Sequence, residues 1–170
     1  MFEPIASDRV GIDDLADRPH TLNGRVLGLL NNTKDRSEII LDQLEHQLKD
    51  QFEDTEVRYY RKNSVSGMTD TIKEQLINEV DVLITATGDW GSCTSWSVHD
   101  CMTLERNGIP TVTIVTHSFA DYGKRITKLQ KMPNLPIVVI NHPVAAQPEA
   151  NIRSDVTAHY SEVVAALVQS

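Results

Sequence analysis

Five short apolar runs, each followed by a longer segment with helical spacing, constrain this chain more than any other feature. The runs cover residues 25–30, 57–60, 80–86, 111–115 and 137–140. They mostly lack polar alternation, as strands covered on both faces do. Between them, Ile39, Ile40, Leu44, Leu48 and Phe52 recur at three-to-four spacing over residues 38–52, with Ser37 placed to cap that helix. Ile72, Leu76 and Ile77 mark a second helix over 69–79. Trp96, Val98, Met102 and Leu104 give a third its inward face, and the helix stops at Asn107-Gly108-Ile109-Pro110. A fourth helix is expected within 117–131. After a linker over 144–153, a last one is expected from about Asp155 to Val168.

Strand and helix thus alternate five times. The pattern predicts an α/β fold, a three-layer α/β/α sandwich with a mostly parallel five-stranded sheet. A flavodoxin-like strand order, 2-1-3-4-5, is the simplest one compatible with right-handed crossovers. Residues 25–170 form one domain. Residues 1–24, polar and irregular, read as an arm that ends in the Asn23-Gly24 turn.

Ligands in such sheets bind outside the carboxyl ends of the strands. The first strand delivers Asn31, Asn32, Thr33 and Lys34 there, and the second Lys62 and Asn63. The third leads into Thr87-Gly88-Asp89-Trp90-Gly91-Ser92-Cys93-Thr94-Ser95, the turn from strand to helix. The fourth ends at Thr116, His117 and Ser118, the fifth at Asn141 and His142.

Two glycines let the turn lie close to a ligand. Cys93 is expected within one residue of the helix start, where free N–H groups and the helix dipole favour a thiolate or a bound anion. Cys93 and His117 are therefore the candidate catalytic residues. Asn32, Thr33, Lys34, Asp89, Trp90, Gly91, Ser92, Thr94 and Ser95 are candidate contacts to a small polar or anionic substrate. Asn32, Thr33, Cys93 and His117 are expected to line one pocket, walled by Trp90. His142 reads as the end of a strand and His99 as a packing or capping partner.

The formal net charge of −8, with no long basic run, argues against nucleic acid and membrane surfaces as partners. Cys93 and Cys101 are the only cysteines. Eight residues apart on one helix, they would stand about 12 Å from each other, too far to bridge. The first residues do not have the pattern of a signal peptide, and the expected location is the reducing cytosol. The histidines are not at metal-ligand spacing, and no dinucleotide fingerprint, P-loop or Gly-x-Ser-x-Gly elbow is present, so neither a metal nor a cofactor is expected.

Gly88-Asp89-Trp90-Gly91-Ser92-Cys93-Thr94-Ser95-Trp96-Ser97-Val98-His99-Asp100 resembles the signature of the UGSC family, named for selenocysteine-Gly-Ser-Cys. The resemblance extends through residues 21–24, 28–34 and 104–112. It implies thiol redox or thiol-based chemistry, with Cys often replacing the selenocysteine. Here Trp90 occupies that first position, so a Cys-x-x-Cys couple cannot form. The remaining reading is an enzyme, a lyase, isomerase or transferase, that uses Cys93 alone on a carboxylated or electrophilic metabolite of secondary metabolism. The alternatives are a thiol redox protein and a non-catalytic subunit. Cys93 with its hydroxyl neighbours also resembles the strand-end thiol site of the aspartate/glutamate racemase superfamily. In that superfamily two half-domains each supply a cysteine, which implies here a racemase half-domain-like fold acting as a homodimer or within a larger complex.

Overall fold

The computed structural model describes residues 15–170. Most of the expected arm, residues 1–14, lies outside the described residues.

The elements alternate throughout: β1 (Val26–Asn31), α1 (Ser37–Gln51), β2 (Glu56–Arg61), α2 (Asp70–Glu79), β3 (Val82–Gly88), α3 (Gly91–Arg106), β4 (Thr111–Thr116), α4 (His117–Leu129), β5 (Ile137–Ile140) and α5 (Glu149–Leu167). All four strand pairings are parallel, in the order β2-β1-β3-β4-β5. Helices cover both faces. On one, Leu27, Leu29, Val82, Ile84, Val112 and Ile114 pack with Ile40, Leu44 and Leu48 of α1 and Ile152, Val156 and Val163 of α5. On the other, Leu30 and Leu83 pack with Leu76 of α2 and Leu104 of α3. Val98, Cys101 and Met102 of α3 meet Ile126 of α4. Every residue of β3 and β4 is buried, whereas β2 holds an edge and shows a mixed pattern. Period-two alternation within the central strands feeds both cores, and that is why their sequences read as unbroken apolar runs.

The order reverses between β1 and β3. Chain leaving β1 turns to one side of the sheet and chain leaving β3 to the other, which opens a crevice at their carboxyl ends.

Several local expectations need correction. Ser37 does not cap α1. Arg36 does, in the left-handed region at φ 65° and without a side-chain bond, and Ser37 is the first helical residue. Trp96 faces outward rather than into the core, 44% exposed. The last helix begins at Glu149, not near Asp155, and absorbs most of the expected linker. Pro148 caps it, since a ring with fixed φ and no N–H suits a helix start.

Residues 15–24 are tied to the domain. Leu22 is fully buried in the core shared by α1 and α5. Arg18 forks onto Glu105 at the end of α3, with Nη1 on Oε2 and Nη2 on Oε1, both at 2.7 Å. The backbone N–H of Gln169 donates to the carbonyl of Pro19.

Candidate functional site

The strand-to-helix turn after β3 is built by close packing. A Cβ on Gly88 would stand 2.7 Å from Thr94 Oγ1 and 3.0 Å from Thr94 Cα, so only glycine lets the first turn of α3 come down onto the strand end. At Gly91 a Cβ would meet nothing within 4 Å, so this side of the helix start faces open space. Trp90 is the N-cap, in extended backbone and without a side-chain capping bond. Its carbonyl accepts the Thr94 N–H at 3.0 Å and the Thr94 hydroxyl at 2.8 Å. No acidic residue occupies this first turn. An uncapped N-terminus of this kind favours an anion.

Cys93 is the third residue of α3, two positions from its start rather than within one as expected, but still within the first turn. It is 4% exposed. Cys101, two turns further on, is fully buried. Burial pushes its thiol far above the ordinary range, because a thiolate there would lose its hydration.

α3 is fixed on both flanks. Asn32 Nδ2 donates to Ser97 Oγ, and Asn32 Oδ1 accepts from Thr85 Oγ1 at 3.4 Å. Lys62 Nζ lies 2.8 Å from Asp100 Oδ2, and Asp100 Oδ1 accepts the Met68 N–H at 3.0 Å. Both side chains of this pair are buried. Asn32 and Lys62, read from sequence as rim groups, thus hold the helix that carries Cys93.

The other expected residues divide. Thr33 sits at φ 63°, costly for a β-branched residue, and its N–H donates to Asn31 Oδ1 at 2.7 Å. Lys34 Nζ stands 5.4 Å from the Trp90 ring centroid, over the ring. Trp90 is 57% exposed, so it does not wall an enclosed pocket. It forms an open shelf, its ring tilted at 6.1 Å from Phe119. Ser92 is exposed and Ser95 half-buried. His117 is exposed on the first turn of α4, and His99 is half-buried with its ring 6.1 Å from Trp96. Asn32, Thr33, Cys93 and His117 all stand at the carboxyl edge, but the Asn32 amide is spent within the protein.

His142, read from sequence only as the end of a strand, has partners that no local signal announces. Its Nδ1 lies 2.9 Å from Asp89 Oδ1 and 3.0 Å from Thr116 Oγ1. Asp89 is fully buried, and its carboxylate also accepts the Val144 N–H, at 3.2 Å to Oδ2. The Thr116 hydroxyl has the Gly88 carbonyl at 3.4 Å as its own acceptor. The His142 ring packs 5.7 Å from Phe119 and 6.1 Å, edge-on, from His117. The carboxyl edge of the sheet thus carries a thiol in the first turn of an uncapped helix and, separately, a carboxylate–imidazole pair, a second imidazole and one ammonium. Such a set can bind a small anion and move protons.

A cleft of about 460 Å³ lies elsewhere, between Gly67, Met68 and Lys73 on one side and Trp96, His99 and Thr103 on the other. Its charged lining groups are each paired, as Lys62–Asp100 and Lys73–Asp70, and His99 is its one titratable lining side chain outside those pairs. Among the described residues, no group of three or more His, Cys, Asp or Glu side chains could hold a metal ion. No helix among them is long and apolar enough to cross a membrane.

No curated protein matches the chain. The model of the UGSC family matches residues 1–169, nearly the full length, and the chain belongs to the UGSC family.

Proposed function

We propose that this protein is a Cys93-dependent enzyme acting on a small polar or anionic metabolite, carboxylated or electrophilic, through single-thiol nucleophilic or acid–base chemistry of the lyase, isomerase or transferase kind. The observation that carries this reading is Cys93 in the first turn of α3, a helix start with no side-chain cap and no acidic residue. A negative group of the substrate takes the free N–H groups there, with the Lys34 ammonium and the Ser92 hydroxyl within the same rim. Thr94 and Asn32 shape the turn rather than touch substrate, because their polar atoms are already bonded. The protein works in the cytosol as a homodimer or within a larger assembly.

Thermal shift with a panel of small mono- and dicarboxylates tests the binding half. A ligand at 100 times its Kd stabilises by about 2.7 kcal/mol, and Cys93→Ser should bind it while losing turnover. A panel that leaves the melting temperature unmoved, or a Cys93→Ser protein that still converts its substrate, would refute the proposal.

A further inference from the structure

We infer that the cleft between α3 and the segment from the loop after β2 into α2 is a second binding site, for an uncharged planar aromatic ring that carries a hydrogen-bonding group. It is separate from the helix start that bears Cys93 and does not depend on how the thiol is read. The observation behind it is a corner of two aromatic rings, held open beside a buried ion pair.

Trp96, His99 and Thr103 stand at i, i+3 and i+7 on α3 and so share one face of that helix. They make one wall of the cleft, whose volume of about 460 Å³ is enough for a small ligand. Gly67 and Met68 of the loop and Lys73 of α2 make the other. The loop is braced against the helix. Asp100 Oδ1 accepts the Met68 N–H at 3.0 Å, and Asp100 Oδ2 is held by Lys62 Nζ at 2.8 Å. At Gly67 the backbone already lies on the indole, since a Cβ there would stand 3.0 Å from Trp96 Cε3 and 3.4 Å from Asp100 Oδ1. One edge of the indole is therefore covered, yet Trp96 as a whole is left exposed.

Three features select the ligand. First, the Trp96 and His99 rings are 6.1 Å apart and tilted by 53°, which makes an angled corner. A flat ring laid against one of them meets the other edge-on, and aromatic pairs favour both arrangements at centroid separations of about 4.5–7 Å. Second, the charges of the lining are matched, Asp100 by Lys62 and Asp70 by Lys73. An ion entering the cleft would lose hydration without gaining a counter-charge. Third, the Thr103 hydroxyl already donates to the His99 carbonyl at 3.0 Å, so the His99 ring is the adaptable polar group of its wall. A neutral imidazole has one donor and one acceptor nitrogen, and so it takes a hydroxyl or an amide on the edge of the ligand.

The probes are p-cresol and nicotinamide, two uncharged rings, with benzoate, benzylammonium and non-planar cyclohexanol for comparison. Trp90 and Trp96 are the only tryptophans, so ¹⁵N-labelled protein gives two indole N–H signals, and Trp90→Phe assigns them. The uncharged rings should move the Trp96 indole and His99 ring signals saturably, with Kd on the order of 1 mM or below, and leave Trp90 in place. Trp96→Ala and His99→Ala should each weaken binding about tenfold, the worth of one stacked ring. Trp96→Phe keeps a ring and should weaken it less, and it carries the test if Trp96→Ala fails to fold by circular dichroism. Four results would each overturn the inference: no saturable shift at Trp96, a shift centred on Trp90, cyclohexanol as effective as p-cresol, or a charged probe bound more tightly than the uncharged rings. None of them bears on Cys93, whose role is read from turnover by Cys93→Ser.

Discussion

Arg18→Met should be among the most destabilising single substitutions in this protein. The Glu105 side chain is fully inaccessible, and it lies in the last turn of α3, where the helix dipole already disfavours a negative charge. Five donors hold it. Oε2 takes Ala16 N–H and Arg18 Nη1, both at 2.7 Å. Oε1 takes Arg18 Nη2 at 2.7 Å, Thr111 N–H at 2.6 Å and Thr111 Oγ1 at 2.9 Å. Methionine keeps the apolar stem but removes the only positive charge among them. The result is a buried carboxylate without a counter-charge, and breaking such a pair costs about 3–5 kcal/mol. For a domain of this size each kcal/mol moves Tm by roughly 2–4 °C, so the expected loss is on the order of 6–20 °C. Glu105→Gln removes the charge itself and keeps an oxygen for Thr111. The double variant Arg18→Met/Glu105→Gln should therefore lose less than the two singles added. Urea denaturation followed by circular dichroism measures all three. A loss below about 1 kcal/mol for Arg18→Met, the range of an exposed pair, would refute the argument that this carboxylate depends on its guanidinium.

Gly88→Ala should cost about 1–3 kcal/mol, because its methyl group meets the Thr94 backbone, and it should displace the first turn of α3. Calorimetry and Cys93 alkylation kinetics together would show it, and an unchanged Cys93 rate would mean that the turn relaxes elsewhere. Stability at alkaline pH should depend on Cys101. Burial raises its folded value above the ordinary 9.0, so as pH rises the unfolded chain loses this proton first. The contribution is complete below about pH 9 and declines as pH climbs towards the folded value, with a slope of at most about 1.4 kcal/mol per pH unit. Cys101→Ala should flatten the wild-type decline above pH 9, as read by urea unfolding at stepped pH. Equal slopes in the two proteins would contradict the assignment.

The two-sided cover of the sheet was legible because it depends on local patterns, whereas the strand order was only the simplest one compatible with right-handed crossovers. Apolar runs at 82–88 and 111–116 have no polar face to expose, and a parallel sheet with helices on both sides accommodates that. The strand-to-helix turn at Gly88 was legible for the same reason. Groups whose roles depend on distant partners were not. Asn32 looked like a rim residue until Ser97 and Thr85 took its amide. Lys62 is placed at a strand end by local pattern, yet Asp100, on another element, decides its role. His142 shows the limit most clearly. Next to Pro143 it reads as the end of a strand, and nothing within ten residues of it announces Asp89. Trp96 was misread because helical spacing marks a face without saying which aromatic lies at its margin.

The indole of Trp90 has little share in holding the fold together. Its backbone caps α3 through the carbonyl that binds Thr94, while the side chain stands 57% exposed between Lys34 and Phe119. Architecture and chemistry are therefore separable at this one position. The scaffold can exchange what it displays beside Cys93 without rebuilding the turn, as a tool handle accepts different heads. A single substitution, Trp90→Cys, should place a second thiol three residues before Cys93 in a protein that still folds. Ellman titration before and after mild oxidation would register the new Cys-x-x-Cys pair as the loss of two free thiols.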